Sequence, residues 1–188
     1  MRFVVMDLEW NGAYCRQTRG YFNEIIEIGA VRLDGGLRPD GEFHAVIRPQ
    51  VSSELSSIVR DLTSITPEEL EEQGKPFPAA MEEWIEWIGD GETVILTWST
   101  TDLLVMMENC RYYYDDDRLP FMERYADLQA YCQQRMGVGT AQQVALNKAC
   151  DMLGISEEGA ELHRALDDSR LSGRILKRVY EPDSFAEA

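Results

Sequence analysis

Short apolar runs separated by turn-forming residues mark the strands of this chain. The first run, Phe3-Val4-Val5-Met6, is brief and rich in strand-forming residues, and Asn11-Gly12 follows it closely. This pattern predicts a buried strand that ends before the dipeptide. Similar runs predict strands at residues 2–8, 24–33, 42–48, 93–98 and 125–127. The short turns between the first three strands predict an antiparallel meander.

Longer segments with helical spacing of apolar residues alternate with the later strands. They predict helices at residues 78–89, 101–114, 128–136, 141–153 and 165–180. The less regular segment from Pro49 to Pro78 predicts short helices joined by turns. This layout is typical of an α/β fold with a mixed sheet flanked by helices. With 188 residues, 44% of them hydrophobic, the chain is large enough for one domain at residues 1–182 and a short tail at 183–188.

Two carboxylates lie at the end of the first predicted strand. Asp7 and Glu9 are two residues apart, so strand alternation points both side chains to one side, with Cα atoms roughly 6.6 Å apart. Carboxylates this close require neutralisation inside a sheet, and a divalent cation is their natural partner. Taken alone, the pair is more simply an acidic strand end that reaches solvent.

A third acid follows another apolar strand. Asp102 comes shortly after Trp98, where a helix is predicted to begin with Thr100 or Thr101 as its cap. Asp102 then lies in the first helical turn. The helix dipole favours acids at this position, which by itself would explain the residue.

A histidine and a fourth acid lie near the start of the last predicted helix. His163 and Asp168 are five residues apart, which corresponds to about 500° of rotation in an ideal helix, so they would not share a face if both were helical. We therefore expect His163 to lie in the loop before the helix and to fold back over the site. A lone histidine is more often a surface residue, but His163 sits beside the acids Asp167 and Asp168.

Three segments resemble the three motifs of the DEDDh 3′-to-5′ exonucleases, the superfamily that contains proofreading exonucleases and RNase T. In the family's order they are Asp7-Leu8-Glu9-Trp10-Asn11-Gly12, Trp98-Ser99-Thr100-Thr101-Asp102 and His163-Arg164-Ala165-Leu166-Asp167-Asp168. The similarity continues between the motifs and covers nearly the whole chain. It is strongest to the bacterial sporulation-inhibitor branch, which resembles eukaryotic exonucleases that trim small RNAs. The resemblance implies a ribonuclease-H-like fold with a mixed five-stranded sheet flanked by helices.

Three positions depart from the family pattern. Asn11 stands where many relatives have threonine, and Ser64 and Ser99 replace glycines that are usual in the family. None of the three corresponds to a metal ligand. The departures therefore bear on the fit of the substrate rather than on the chemistry.

The resemblance implies a metal-dependent exonuclease that releases 5′-monophosphates from the 3′ ends of single-stranded RNA or DNA. Asp7, Glu9, Asp102 and Asp168 would hold two divalent cations about 3.5–4 Å apart, directly or through water. His163 would be the general base, because an imidazole with an ordinary pKa near 6.5 accepts a proton at neutral pH. All-oxygen ligands favour Mg²⁺ or Mn²⁺ over zinc. RNA is slightly favoured because the relatives that the chain most resembles process RNA.

Four residues are candidates for substrate contacts. The resemblance places Trp10 and Asn11 beside the terminal ribose and base, and Ile65 as a wedge against a base. Stacking of an unpaired base on an aromatic ring contributes about 1–3 kcal/mol and tolerates any base. Packing in the core is the alternative for Trp10 and Ile65. Arg164 is the fourth candidate, as a contact to phosphate.

The net charge of −16 has the wrong sign for broad electrostatic binding of nucleic acid. Any basic surface must therefore be local. The candidates are Arg164, Arg170, Arg174 and Arg178 along the last helix, and Arg16 and Arg19 in the loop after the first motif. Pairing within the helix is the alternative for the helical arginines. We expect a footprint of only a few terminal nucleotides.

The cysteines and the apolar runs bear on the location of the protein. The isolated residues Cys15, Cys110, Cys132 and Cys150, with no secretory leader, predict reduced thiols in a cytoplasm. No apolar run is long enough to cross a membrane, and no protein partner can be identified from the sequence.

The alternative to an active exonuclease is a nonhydrolytic regulatory or protein-binding module with the same fold. The complete set of four acids and a histidine argues against that alternative.

Overall fold

A computed structural model describes residues 1–52, 54–116, 119–139 and 142–186. Within them one sheet has the strand order β3-β2-β1-β4-β5. The strands are β1 (Arg2–Cys15), β2 (Gly20–Leu33), β3 (Pro39–Val46), β4 (Thr93–Thr97) and β5 (Tyr125–Asp127). The first three form the predicted antiparallel meander, and β4 lies parallel to both β1 and β5. The predicted mixed five-stranded sheet flanked by helices is confirmed.

The helices of the described residues surround this sheet. They are α1 (Ser57–Leu62), α2 (Pro67–Glu72), α3 (Phe77–Ile88), α4 (Thr100–Tyr114), α5 (Leu128–Arg135), α6 (Leu146–Leu153), α7 (Ala165–Val179) and α8 (Pro182–Ala186). The segment from Pro49 to Pro78 thus contains short helices, as predicted. None of the helices is long and apolar enough to cross a bilayer.

Both faces of the sheet are covered, which explains why the central strands read as continuous apolar runs. On one face, residues of β1 such as Met6 pack with Trp84 of α3 and Met106 of α4. On the other face, Val5 packs with Leu171 of α7. Burying a large side chain of this kind contributes roughly 1.5–3 kcal/mol. The two layers hold β1, which carries the first two acids, at the centre of the molecule.

The hairpin of β1 and β2 is longer than predicted. Asn11-Gly12 was expected to end the first strand, but β1 continues to Cys15 and β2 begins at Gly20 rather than at residue 24. Asn11 is buried, and its side-chain amide donates to the carbonyl of Glu54 and accepts from the backbone N–H of Ser56. These contacts with a distant segment stabilise an extended conformation at a dipeptide that commonly forms a turn.

Other boundaries also differ from the prediction. Ser99, not Thr100 or Thr101, caps α4, because its extended backbone lets its hydroxyl accept from the N–H of Thr101 at 3.2 Å. Asp102 is still in the first turn. Helix α6 begins at Leu146 rather than at 141, a residue that lies outside the described ones, and residues 142–145 are not helical.

The end of the described chain folds back onto the domain. Phe185 of α8 makes edge-to-face contacts with Phe3 of β1 and with Tyr131 of α5, at ring-centroid distances of 5.5 and 5.1 Å. Residues 187 and 188 of the predicted tail lie outside the described residues. All four cysteines are free thiols and buried.

Candidate active site

One pocket contains all five residues that were predicted from the sequence as metal-binding acids and general base. Its volume is about 330 Å³, and it lies at the end of the sheet where β1 and β4 lead into the covering loops. The residues lining it are Asp7, Leu8, Glu9, Trp10, Ile58, Val59, Leu62, Thr63, Trp98, Ser99, Asp102, His163 and Asp168. Three segments that are far apart in the sequence therefore meet at one place.

Asp7 and Glu9 project from β1 toward α7. Asp7 pairs with Gly29 of β2 and Glu9 with Glu27, and directly paired residues point to the same face of a sheet. Gly29 lets α7 lie directly on the sheet, because a Cβ atom there would come within 2.1 Å of the backbone carbon of Ala165. The missing side chain brings the first turn of α7 beside the two acids.

Asp102 reaches the site from the start of α4. The pairing of β1 with β4 ends at Val5 and Leu96, so β4 offers no backbone partner to Leu8. The Leu8 N–H instead donates to Oδ1 of Asp102 at 3.1 Å. Since Leu8 lies between Asp7 and Glu9, this hydrogen bond places the Asp102 carboxylate beside both.

His163 and Asp168 enter from opposite ends of the first turn of α7. His163 precedes the helix, as predicted, and its φ of 63° is left-handed, a conformation in which histidine is tolerated better than most residues. Its backbone N–H donates to Oδ2 of Asp168 at 3.2 Å. The turn back at His163 therefore holds its partly exposed imidazole over the buried carboxylate of Asp168.

The carboxyl groups of this pocket have strongly perturbed pKa values. Burial raises the pKa of Glu9 to about 8, that of Asp102 to about 7 and that of Asp168 to about 6. Burial also raises the pKa of Asp7 well above its ordinary value, and the nearby carboxylates add to the effect. Without a cation, Glu9 would therefore hold a proton at neutral pH, whereas an ordinary carboxyl group is ionised there.

The donor set fits a divalent cation. One ligand atom each of Glu9, His163 and Asp168 lies within 4.8 Å of the others. Oδ1 of Asp168 is buried and has no hydrogen-bond partner among the described residues. A buried, unpartnered carboxylate oxygen costs about 1–3 kcal/mol, which a bound cation would offset. Carboxylate oxygens are the ligands that Mg²⁺, Mn²⁺ and Ca²⁺ prefer.

Glu27 connects β2 to the start of α7. It is 1% exposed, and its Oε2 accepts the Ala165 N–H at 2.8 Å, so it caps a helix whose own N-cap side chain makes no such bond. Its Oε1 accepts from Arg164 at 2.6 Å and contacts His44 at 2.7 Å. Burial raises the pKa of Glu27, but the hydrogen bonds from His44 and Arg164 outweigh burial and lower it. Glu27 thereby positions the loop that carries His163.

We expect Glu27→Gln to destabilise the protein by about 3 kcal/mol. The change leaves the Arg164 guanidinium without its buried counter-charge, and breaking a buried ion pair by removing one partner typically costs that much. Urea unfolding monitored by circular dichroism measures the effect. Glu69→Gln is the matched control, since Glu69 accepts from the same guanidinium at 2.7 Å but is more exposed, and it should cost less. Equal losses would contradict the role given to Glu27.

The four predicted substrate contacts lie in different environments. Trp10 lines the pocket. Arg164 lies outside the lining residues, in its ion pairs with Glu27 and Glu69. Asn11 is buried in its contacts with residues 54–56, and Ile65 is 3% exposed within an apolar cluster. Of the helical arginines, Arg170 pairs with Glu42 and with Asp167, so only part of the expected pairing is within the helix.

Two residues of α1 were missed by the sequence reasoning. Ile58 and Leu62 line the pocket and are 70% and 50% exposed. In a helix of six residues, apolar side chains that face a site cannot be distinguished by spacing from those that face the core. The structure makes the distinction, because Val59 is the buried residue of α1, whereas Ile58 and Leu62 stay exposed. They form an apolar wall of the pocket that also contains the acids.

Comparisons with known proteins identify the family of this chain. The family model described as "Exonuclease", of the RNase T type, matches residues 4–176. The "Probable 3'-5' exonuclease KapD" of Bacillus subtilis is 27% identical over 98% of this chain and 87% of its own length. "ERI1 exoribonuclease 2" of Mus musculus is 30% identical over 89% of this chain, which spans only 27% of that protein.

A solved structure supports the fold. The nuclease domain of 3'hExo, described as a DEDDh family member bound to rAMP, has a TM-score of 0.80 and 24% identity, over 94% of this chain and 90% of that one. The family match covers most of the chain and includes every acid of the pocket. This chain therefore belongs to the exonuclease family and is a 3′-to-5′ exonuclease of the DEDDh type.

Proposed function

We propose that this exonuclease hydrolyses single-stranded nucleic acid from its 3′ end, with RNA slightly favoured over DNA, and releases 5′-monophosphates. One observation carries the proposal: four carboxyl groups from β1, α4 and α7 converge in one pocket, and an oxygen of Asp168 there is buried without a partner. A module that only binds other proteins would incur the cost of this convergence without gaining from it. The electrostatic repulsion among the four carboxylates favours the binding of cations between them.

Exonucleases of this family use divalent metal ions, and we propose two Mg²⁺ or Mn²⁺ ions held by Asp7, Glu9, Asp102 and Asp168. When bound, such ions stabilise negative charge on the phosphate and lower the pKa of a bound water. Asp7 has all three other acids as electrostatic neighbours, so we assign it the bridging position. The Leu8 N–H orients Asp102, and the His163 N–H orients Asp168, so both carboxylates are aimed before any ion arrives.

We assign His163 the role of general base. Its imidazole lines the pocket and is partly exposed, so it can take a proton from an attacking water and pass it to solvent. The backbone of the same residue is anchored to Asp168. The base therefore keeps its place relative to the acids through its main chain.

The apolar side of the pocket suits the terminal nucleoside. Trp10, Ile58 and Leu62 offer surfaces for a base, whereas the acids lie where the phosphate would sit. We propose that Asn11 and Ile65 act from behind this wall, Asn11 by holding residues 54–56 and Ile65 by packing beneath α1. Arg164 would act through its pairing with Glu27. The mouse relative is described as an exoribonuclease, and the nuclease domain of 3'hExo was solved with bound rAMP, which supports the preference for RNA.

The proposed reaction is tested with 5′-labelled oligonucleotides of RNA and DNA, both single- and double-stranded. We expect a ladder that shortens from the 3′ end in Mg²⁺ or Mn²⁺, release of 5′-monophosphates, and little cleavage of a 3′-blocked substrate. Single-stranded RNA should be degraded fastest. Internal cleavage products, or full activity in excess chelator, would contradict the proposal.

The metal-free protein is expected to lose stability as the pH rises from about 5 to about 9. The folded protein holds protons on Glu9, Asp102 and Asp168 up to pH values of about 8, 7 and 6, whereas the unfolded chain releases them near pH 4. The folded state binds more protons in this window, so the free energy of unfolding falls as pH rises through it. We expect a loss of the order of a few kcal/mol.

This pH dependence is measured by urea unfolding in chelator at pH 5, 7 and 9. Mn²⁺ should restore most of the stability at pH 9, because the cation neutralises the ionised acids. The variant Glu9→Gln removes the group with the largest of the three quoted pKa shifts, and it should flatten the curve. A pH-independent free energy of unfolding in chelator would show that the acids are not crowded as described.

A further inference from the structure

The hairpin of β1 and β2 extends beyond the five-stranded sheet as a two-stranded arm, residues 10–25. Pairing of β2 with β3 ends at Glu27, and pairing of β1 with β4 ends at Val5, whereas the two arm strands stay paired from Trp10 to Cys15. One side of the arm is supported by α4, where Phe22 and Tyr112 lie 4.7 Å apart between ring centroids. The arm is therefore a supported projection of the domain.

The other side of the arm carries exposed aromatic residues. Tyr14 and Tyr21 pair directly across the two strands and are 65% and 67% exposed. The ring of Tyr21 reaches over Gly12, since a Cβ atom on Gly12 would lie 2.3 Å from the Tyr21 hydroxyl oxygen. Gly12 is two residues from Trp10, which lines the active-site pocket. An aromatic surface thus leads from the pocket along the arm.

The turn at the end of the arm is basic. Arg16 and Arg19 are both exposed, and neither side chain makes an ion pair or hydrogen bond with any residue that the structure describes. In a chain with a net charge of −16, two unneutralised arginines at one projecting turn create a local attraction for anions. Exposed aromatic rings next to free arginines match the needs of unpaired bases and backbone phosphates.

The length of the arm suits a strand leaving the pocket. At about 3.4 Å per residue, Tyr14 lies about 14 Å from Trp10 along β1, and the arginines lie just beyond. A polynucleotide whose 3′ end occupies the pocket could therefore pass several nucleotides over the arm. A protein partner would also cover two tyrosines, but it would not by itself require unpaired cations beside them.

We propose that the arm binds the single-stranded nucleic acid upstream of the scissile nucleotide, with bases stacked on Tyr14 and Tyr21 and phosphates beside Arg16 and Arg19. The inference rests on the proposed function, since the pocket must hold a 3′ terminus for the arm to meet the strand behind it. The arm would provide a local positive charge that attracts the substrate to a protein whose net charge is negative. Short substrates would end before the arm and would not use it.

The test compares a dinucleotide with a 12-nucleotide single strand of the same base. In the double variant Tyr14→Ala/Tyr21→Ala, we expect the ratio of kcat/KM for the long substrate to that for the dinucleotide to fall about 10- to 100-fold. Tyr14→Phe/Tyr21→Phe keeps both rings and should retain most of the ratio. Met152→Ala, a change at another half-exposed apolar residue, is the matched control.

Charge and stacking are separated by a second variant. Arg16→Gln/Arg19→Gln should reduce the dependence of the long substrate's KM on salt concentration, because fewer counterions are released on binding. If the tyrosine-to-alanine variant keeps the wild-type ratio of the two substrates, the inference is overturned, and an exposed surface for a protein partner becomes the explanation for the tyrosines.

Failure of the proposed function would look different. In that case the wild-type protein would cleave neither the dinucleotide nor the 12-mer in Mg²⁺ or Mn²⁺. Fluorescence anisotropy of a labelled 12-mer then decides the inference independently. Binding that weakens in the tyrosine-to-alanine variant supports the arm as a nucleic-acid surface, and binding that is unchanged refutes it.

Discussion

Asp7→Asn is expected to abolish turnover and, at the same time, to make the metal-free protein more stable. Asp7 lies at the centre of the acids, and burial together with their charges raises its pKa well above the ordinary value. An amide of the same shape removes one negative charge from this group. It also removes the ligand to which we assign the bridging position. Loss of several kcal/mol of charge stabilisation in the transition state corresponds to a decrease in kcat of about 10³-fold or more.

The gain in stability follows from the same geometry. In chelator near pH 8, we expect the free energy of unfolding to increase by about 1–3 kcal/mol, since a buried, poorly compensated ionisable group is replaced by a neutral one. Urea unfolding and single-turnover cleavage of labelled RNA measure the two effects. Asp151→Asn, an exposed change of the same kind on α6, should alter neither. A variant that loses activity and stability together would indicate a structural role for Asp7.

Glu27, a neighbour of the pocket, contributes to the same electrostatic repulsion among the acids. Glu27 lies opposite Glu9 and adds to the repulsion that raises the pKa of Glu9. Its own charge is compensated by Arg164, His44 and the Ala165 N–H. Glu27 is therefore neutralised by protein groups and fixes the start of α7, whereas the other acids are the proposed ligands of the cations.

The acids and the histidine could be predicted because three segments of the sequence resemble the motifs of a known family, and local rules then indicated how each side chain is presented. Strand alternation puts Asp7 and Glu9 on one side of β1, and the rotation of an ideal helix excludes His163 from the same helical face as Asp168. The structure places all of them in one pocket. Strand β5 at residues 125–127 and the central sheet could be predicted for a related reason, since short β-rich runs leave few alternatives.

The features that could not be predicted depend on partners far away in the sequence. Asn11-Gly12 is a common turn dipeptide, and only the contacts of Asn11 with residues 54–56 keep it extended. Arg164 looks like a phosphate contact until Glu27 and Glu69, residues of two other elements, are seen to hold its guanidinium. The arm and its exposed tyrosines follow from the first of these contacts, because a turn at Asn11 would have removed the arm.

His163→Asn is expected to lower kcat by about 10²- to 10⁴-fold and to leave cation binding largely intact. Asparagine tolerates the left-handed φ of 63° observed at this position, so the loop and the N–H bond to Asp168 should persist. It cannot accept a proton from water, which removes the contribution of a general base. The increase in unfolding temperature caused by Mn²⁺ should therefore stay close to that of the wild type, while single-turnover cleavage slows.

A second variant separates loss of the base from loss of local structure. Glycine also adopts a positive φ readily, and His163→Gly leaves space where an added imidazole can bind. If His163 takes the proton from water, imidazole should restore part of the activity of His163→Gly, and more basic imidazoles should restore more, as expected for general-base catalysis. Rescue that does not depend on basicity, or a wild-type kcat in His163→Asn, would assign the proton transfer to another group and leave His163 with a positioning role for Asp168.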